Sequence, residues 1–237
     1  MHPTNNLART IIHTEPNIVD TRLAALGLTQ EDLNEILQRA MSFRLSTTKN
    51  NAVTAGGTLF YHGAIRAIRD VLSKKGFKRL PLSNVELTAN DRIAIYICSG
   101  NDQTGLANAY PESRTKKGEF TRKILGLSYA SNPTAYSFEF QNKQIDLDFS
   151  SHDNDEALST QLGLDVWCLL HYVYQIDEYQ WGMRAEFSQP TTYNQKNVVN
   201  GFSTRLILNT APTDPVIKQD NEPQFTQDIE IDILKTG

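Results

Sequence analysis

The sequence predicts an α+β protein, with N-terminal helices packed on a mainly antiparallel β-sheet. Two observations carry this prediction. Up to Leu72 apolar residues recur at the 3.6-residue period of helices, whereas after Gly76 they come in short β-branched and aromatic runs bounded by turn residues. Helices gathered ahead of strands, rather than alternating with them, argue for segregated layers and against a parallel sheet wound through crossover helices. A chain of 237 residues can bury a proper core. It reads as one domain, 1–237, with its weakest seam in the polar, acidic stretch 150–163.

Taken in order, residues 1–17 carry Pro3 and Pro16 and little periodicity, and are expected to be irregular. A short helix over Asp20–Leu26 ends at Gly27. Thr29 followed by Glu31 and Asp32 is a helix start: a hydroxyl to cap the first amides, and acids where the dipole favours them. Leu33, Ile36, Leu37, Ala40 and Met41 then form one apolar face. Residues 46–57 read as a polar, Gly-ended linker. A second helix is expected from Thr58, with Leu59, Ala64, Ile65, Ile68, Val71 and Leu72 inward, Arg66, Arg69 and Asp70 solvated, and Gly76 as its C-terminal cap. Val85–Thr88 and Arg92–Cys98 form a hairpin across an Asn90–Asp91 turn, and a long loop, 99–118, follows. Further strands are expected at Phe120–Leu127, at Tyr136–Phe140 and Ile145–Phe149 as a hairpin, at Asp165–Tyr174, at Trp181–Ser188 ending before Pro190, at Ser203–Leu208 and at Ile229–Ile233. A short helix is expected over Glu156–Leu162, a polar loop over 191–200 and an extended, Pro-rich connection over 211–223. The run 165–175 also fits a buried helix, because a short apolar stretch has no periodicity to decide it.

Hydrophobic residues make up 39% of the chain and charged residues 21%, an ordinary globular balance. A net charge of −4 argues against a wholly basic nucleic-acid coat but leaves room for a local basic patch. The two cysteines, Cys98 and Cys168, lie in apolar runs without CxxC spacing, so they read as buried reduced thiols. The N-terminal MHPTNNLART lacks the apolar centre of a secretory signal, and no stretch approaches the roughly 18 apolar residues of a membrane span. A cytoplasmic protein without membrane contact is expected.

The segment 92–123 is the preferred site. An apolar strand delivers Ser99-Gly100-Asn101-Asp102-Gln103-Thr104-Gly105, whose glycines allow backbone amides to converge on an anion, with Ser99, Asn101, Asp102 and Thr104 adding side-chain contacts. It matches neither a P-loop nor the dinucleotide glycine fingerprint, and plain turn chemistry uses the same residues. Arg114, Lys116, Lys117, Arg122 and Lys123 follow within ten residues. They suit a phosphate backbone, with Tyr110 and Phe120 placed to stack on bases; a solvated charge cluster is the bland alternative. Asp102, Glu139, Asp146 and Glu186 are the carboxylates that a metal-dependent nuclease or phosphoesterase would gather around Mg or Mn, with Lys116 or Lys117 gripping phosphate. Acids on strands are also what an amphipathic strand shows to water. His62, His152 and His171 fall at no metal-ligand spacing, and His171 reads as a core histidine.

The segments GTLFYHGAIRAIRDVLSKKGF (57–77), RIAIYICSGNDQTG (92–105), PESRTKKG (111–118) and MRAEFSQP (183–190), taken as a set, resemble an uncharacterised family of bacterial proteins of mobile elements and phage-defence regions. The resemblance spans about half of the chain in scattered blocks and brings no known activity. It implies a setting: a bacterial cytosol and host–phage or plasmid conflict. The expectation is a non-catalytic binding or adaptor subunit, without a cofactor, that engages nucleic acid, a nucleotide or a protein partner through 99–123. The alternative is the nuclease or phosphoesterase built on Asp102.

Overall fold

The computed structural model describes residues 10–82, 85–129, 164–177 and 180–210. The strands expected at 136–140, 145–149 and 229–233, the helix at 156–162, the connection 211–223 and the seam at 150–163 lie outside the described residues.

Three helices come first: α1 (Pro16–Ala25), α2 (Gln30–Leu45) and α3 (Ala55–Leu72). Proline opens α1, where its missing N–H costs nothing. At the start of α2 a reciprocal capping box forms: the Asp32 amide donates to Thr29 Oγ1 at 3.2 Å and the Thr29 amide to Asp32 Oδ2 at 2.8 Å. Leu33, Ile36, Leu37, Ala40 and Met41 are all buried on one face of α2, as their spacing requires. Gly76, at φ +81°, turns the chain out of the helical layer after a short 3₁₀ turn at Ser73–Lys75.

The sheet comprises β1 (Ile11–His13), β2 (Lys78–Leu82), β3 (Val85–Ala89), β4 (Ile93–Ser99), β5 (Ser128–Tyr129), β6 (Asp165–Gln175), β7 (Trp181–Tyr193) and β8 (Val199–Leu208). The order is β1-β8-β7-β6-β4-β3-β2, with β5 joined to the far end of β7. The β2–β3, β3–β4, β6–β7 and β7–β8 pairs are antiparallel, whereas β1–β8, β4–β6 and β5–β7 are parallel. The fold is thus α+β with a mixed, mostly antiparallel sheet and the N-terminal helices packed on it.

Both faces of the central strands are covered. Ile93, Ile95 and Ile97 of β4, Trp167 and Leu169 of β6, and Ala185 and Phe187 of β7 meet the helices. On the other face Ala94, Cys98, Cys168, Leu170, Val199 and Phe202 pack under α4 (Glu119–Ile124) and Leu125. Double burial explains why β4 and β6 read as continuous apolar runs instead of alternating ones, and why 165–175 was ambiguous in sequence. It is a strand, paired along Cys168–Gln175 with β7. Cys98 and Cys168 are buried free thiols. The hydrogen bond to Cys98, reinforced by burial, holds the Cys168 thiol well above its ordinary value.

Several local expectations are corrected. Ile11–His13, inside the stretch expected to be irregular, pairs in parallel with Thr204–Leu206, a contact that local pattern does not encode. Helix α1 starts at Pro16, not Asp20, and α3 at Ala55, not Thr58, so Gly56 and Gly57 belong to its first turn and not to a linker. The β2 strand had no sequence signal of its own. Phe120–Leu127 is not a strand: it opens as α4, capped at Gly118, and only Ser128–Tyr129 extends. Pro190 does not end β7, which runs on to Tyr193 because register shifts on either side of Pro190 absorb its missing donor. Arg69 is not simply solvated: it pairs with Glu86 of β3.

Candidate functional site

The 99–118 loop is built as a clamp. Gly100 bridges to Ser113, the Arg114 amide donates to the Ser99 carbonyl at 2.9 Å, and the Ser113 and Lys117 amides donate to Val199 and Asn197. The amides of Gly100, Asn101, Gln103, Thr104 and Gly105 all have acceptors within the protein, so this turn is not an anion nest. A methyl on Gly100 would fall 2.0 Å from Thr104 Oγ1, and at Gly105, which sits at φ +74°, a methyl would fall 2.9 Å from Arg184 Cβ and 3.2 Å from the Ala185 nitrogen. These glycines are needed for packing the loop on the sheet.

A buried ion pair fixes the same loop from below. Arg205 of β8 donates to Glu186 of β7 through Nε (3.0 Å to Oε1) and Nη2 (2.6 Å to Oε2), and reaches the carbonyls of Ala109 (2.7 Å) and Leu106 (3.0 Å). Glu186 also accepts from the Gly105 amide at 3.0 Å and from Ser188 Oγ at 2.9 Å. Both of its oxygens are therefore committed inside the protein, and the residue is fully buried. The Asp102 side chain is exposed, and its carbonyl accepts from Arg184. Glu139 and Asp146 lie outside the described residues. Among the described residues no three His, Cys, Asp or Glu side chains form a group that could hold a metal. No helix among them is long and apolar enough to cross a membrane.

The basic residues divide by role. Lys117 is buried, donating to the Thr115 carbonyl (3.1 Å) and hydroxyl (2.7 Å) with its ammonium 5.7 Å from the Tyr96 ring centre. Arg122 donates to the Lys117 carbonyl at 2.7 Å and lies over Tyr193. Lys123 is within 3.5 Å of Glu119. Thr104 is buried, and Ser99 and Asn101 are half-buried. Arg114 and Lys116 remain exposed.

Arg114 stands at the mouth of a cleft of about 740 Å3 at the carboxyl end of β4. Ser99, Gly100 and Thr115 form its wall on the loop side, Thr54, Gly57, Thr58 and Tyr61 of α3 and the residue before it face them, and Arg44 and His171 line it as well. The size suits a small organic ligand, and a crevice beyond the carboxyl end of a parallel strand is a common place for one. Arg44 comes from the last turn of α2 and lies over Trp181, 4.8 Å from the ring centre. Its Nη1 is 3.4 Å from where a Cβ on Gly56 would sit, so the guanidinium rests on the first turn of α3. In that turn the Ala55 amide donates to Ala52 and the Thr58 amide to Thr54, leaving Gly56 and Gly57 to supply the orphaned donors of the helix end. His171 is 7% exposed and stacks on Phe60 of α3, with ring centres 4.2 Å apart, and its Nδ1 is buried without a partner. Burial, then the charges of Arg44 and Arg114, pull its pKa down to about 3, so the ring is neutral. Burial, then Arg114, lowers the Arg44 pKa too.

Cationic groups thus crowd together: two guanidiniums and the positive end of an 18-residue helix, in a cleft whose lining contains no carboxylate among the described residues. The sequence reading placed Ser99 and Arg114 here but missed Arg44, His171 and the first turn of α3. The one available signal is the pair Gly56-Gly57 ahead of an apolar helical stripe, which by sequence reads as the end of the linker 46–57. Compared with protein-family models, with curated proteins and with solved structures, the chain matches none. Its function has to be read from the chemistry of its own side chains.

Proposed function

We propose that this protein is a non-catalytic binding subunit that engages a nucleic acid or nucleotide through the cleft at the root of the 99–123 loop. One observation carries the reading: Arg44 and Arg114 converge with the N-terminus of α3 on a cleft that, among the described residues, is lined by no carboxylate. Like charges held together in a partly dry site are costly in the ligand-free protein, and an anion relieves that cost. Phosphate oxygens suit both guanidinium forks and helix-end amides. Exposed Arg114 and Lys116 extend the positive surface beyond the mouth, along the path of a longer chain. The resemblance to bacterial mobile-element and phage-defence proteins suits such a subunit within a larger complex.

The test is fluorescence anisotropy with a labelled single-stranded oligonucleotide and with a fluorescent nucleotide. Arg114→Glu, at an exposed position, should weaken both by on the order of tenfold or more and reduce the salt dependence of oligonucleotide binding. Unchanged affinity and an unchanged salt slope in that variant would refute the role of the cleft.

A further inference from the structure

We infer that the inner part of this cleft is a terminal-phosphate subsite, taking a phosphomonoester against the first turn of α3, Arg44, Arg114 and the imidazole of His171. The inference rests on the binding role proposed above and narrows its ligand. A phosphate that ends a molecule, on a mononucleotide or at the 5′ end of a strand, is preferred to the diesters within a strand.

The donors come from separate elements and surround one space. Gly57 offers its amide along the axis of α3, Arg44 stands against that turn from α2, Arg114 closes the loop side, and His171 forms part of the wall from β6. A monoester brings three terminal oxygens and close to two negative charges. An internal diester offers two terminal oxygens and one charge, and has chain leaving it on both sides. Two guanidiniums and a helix end match the monoester in charge and in number of donors.

His171 supplies the independent sign of a ligand. A histidine that only fills a core is normally hydrogen-bonded, because a buried polar atom without a partner is costly. Here Nδ1 is buried and bare, in a ring that lines the cleft and is held in plane by Phe60. A bare lone pair is cheaper than a bare N–H, so the neutral ring carries its proton on Nε2. Nδ1 stays bare whether or not a ligand binds; the sign of a ligand is that Nε2–H also lacks an acceptor among the described residues, in a ring that lines the cleft, which leaves it as a donor for a ligand oxygen.

The experiment uses the full chain at fixed salt and compares a 3′-labelled oligonucleotide bearing a 5′-phosphate with its 5′-hydroxyl twin. AMP, adenosine and inorganic phosphate serve as competitors, and His171→Phe and Arg114→Gln as variants. The phosphorylated strand should bind on the order of ten- to a hundredfold tighter than its twin. AMP and inorganic phosphate should displace it and adenosine should not. The ratio between the twins should fall toward one in both variants. Phenylalanine preserves the stack on Phe60, and a purely structural role would leave the ratio unchanged. Should His171→Phe not fold, exposed Arg114→Gln still reads the ratio. AMP binding as tightly as the phosphorylated strand assigns the subsite to mononucleotides, and a strand preferred to AMP assigns it to 5′ ends; either result supports the inference. Equal binding of the twins, with both dependent on Arg114, overturns the subsite and leaves the binding role standing. Binding of inorganic phosphate that depends on His171, without binding of any oligonucleotide or nucleotide, keeps the phosphate subsite and overturns the role proposed above. A ratio that neither variant changes, or no binding of any probe, overturns the subsite.

Discussion

Replacing Arg205 with methionine tests how the loop that walls the cleft is held. Arg205 is 2% exposed and Glu186 fully buried, and two of the guanidinium's hydrogen bonds end on that carboxylate. Truncation leaves the carboxylate with only Ser188 Oγ and the Gly105 amide as donors, in a place water does not reach. An uncompensated buried charge of this kind costs about 3–5 kcal/mol. The Leu106 and Ala109 carbonyls also lose their donor, but they lie on a loop where water replaces it at small cost. The double variant Glu186→Leu/Arg205→Met removes both charges, and should be destabilised by much less than the sum of the two single variants, with a coupling of roughly 2 kcal/mol or more. Urea unfolding followed by tryptophan fluorescence reads this well, because Trp167 stacks on Phe187, the neighbour of Glu186. Hydrogen exchange at the Gly105 amide reports the loop directly. An Arg205→Met variant within about 1 kcal/mol of wild type, or strictly additive single variants, would refute the reasoning.

Two further outcomes follow from the same geometry. His171 is held neutral, with a pKa of about 3 against an ordinary 6.5. Between those values the unfolded chain binds a proton that the folded one excludes, so stability is full above pH 6.5 and falls on acidification by about 1.4 kcal/mol per pH unit, roughly 4–5 kcal/mol in all by pH 3. His171→Phe should flatten this part of the acid limb in urea titrations at pH 7.5, 6 and 5, and an identical slope in the variant would exclude it. Gly105→Ala places a methyl 2.9 Å from Arg184 Cβ at a residue with φ +74°; it should lower stability by about 2 kcal/mol or more, and a change in urea midpoint worth under about 0.5 kcal/mol would contradict the close approach.

The sequence made some of this legible and hid the rest for physical reasons. Helix α2 was readable because its cap and its apolar stripe are local, and Thr29, Asp32 and the Leu33–Met41 face sit as their spacing demands. The β3–β4 hairpin followed from its Asn90 turn for the same reason, the Asn90 side chain accepting the amides of Arg92 and Ile93. β1 stayed hidden because three residues gain their strand character only from a partner near the far end of the chain. The run EFTRKILGL misled because aromatic and branched residues suit either a strand or one helical turn. Within the site, the glycine-flanked turn drew attention for its composition, yet its amides hold the loop in place. Lys117 looked like part of an exposed cluster, but it turns inward to Thr115 and Tyr96. Arg44 and His171 carried no signal, because nothing in a linear pattern says that the end of α2, the middle of β6 and the start of α3 meet at one cleft.

The most direct test of the central claim is to follow the backbone amide resonances of the isotope-labelled wild-type protein by nuclear magnetic resonance while AMP is added. A phosphate-binding cleft predicts saturable shifts gathered at Thr54, Gly57, Thr58, Gly100 and Arg114, with distant residues such as Lys78 and Arg79 of β2 unmoved. An absence of shifts at millimolar AMP, or shifts gathered away from the start of α3, would contradict it.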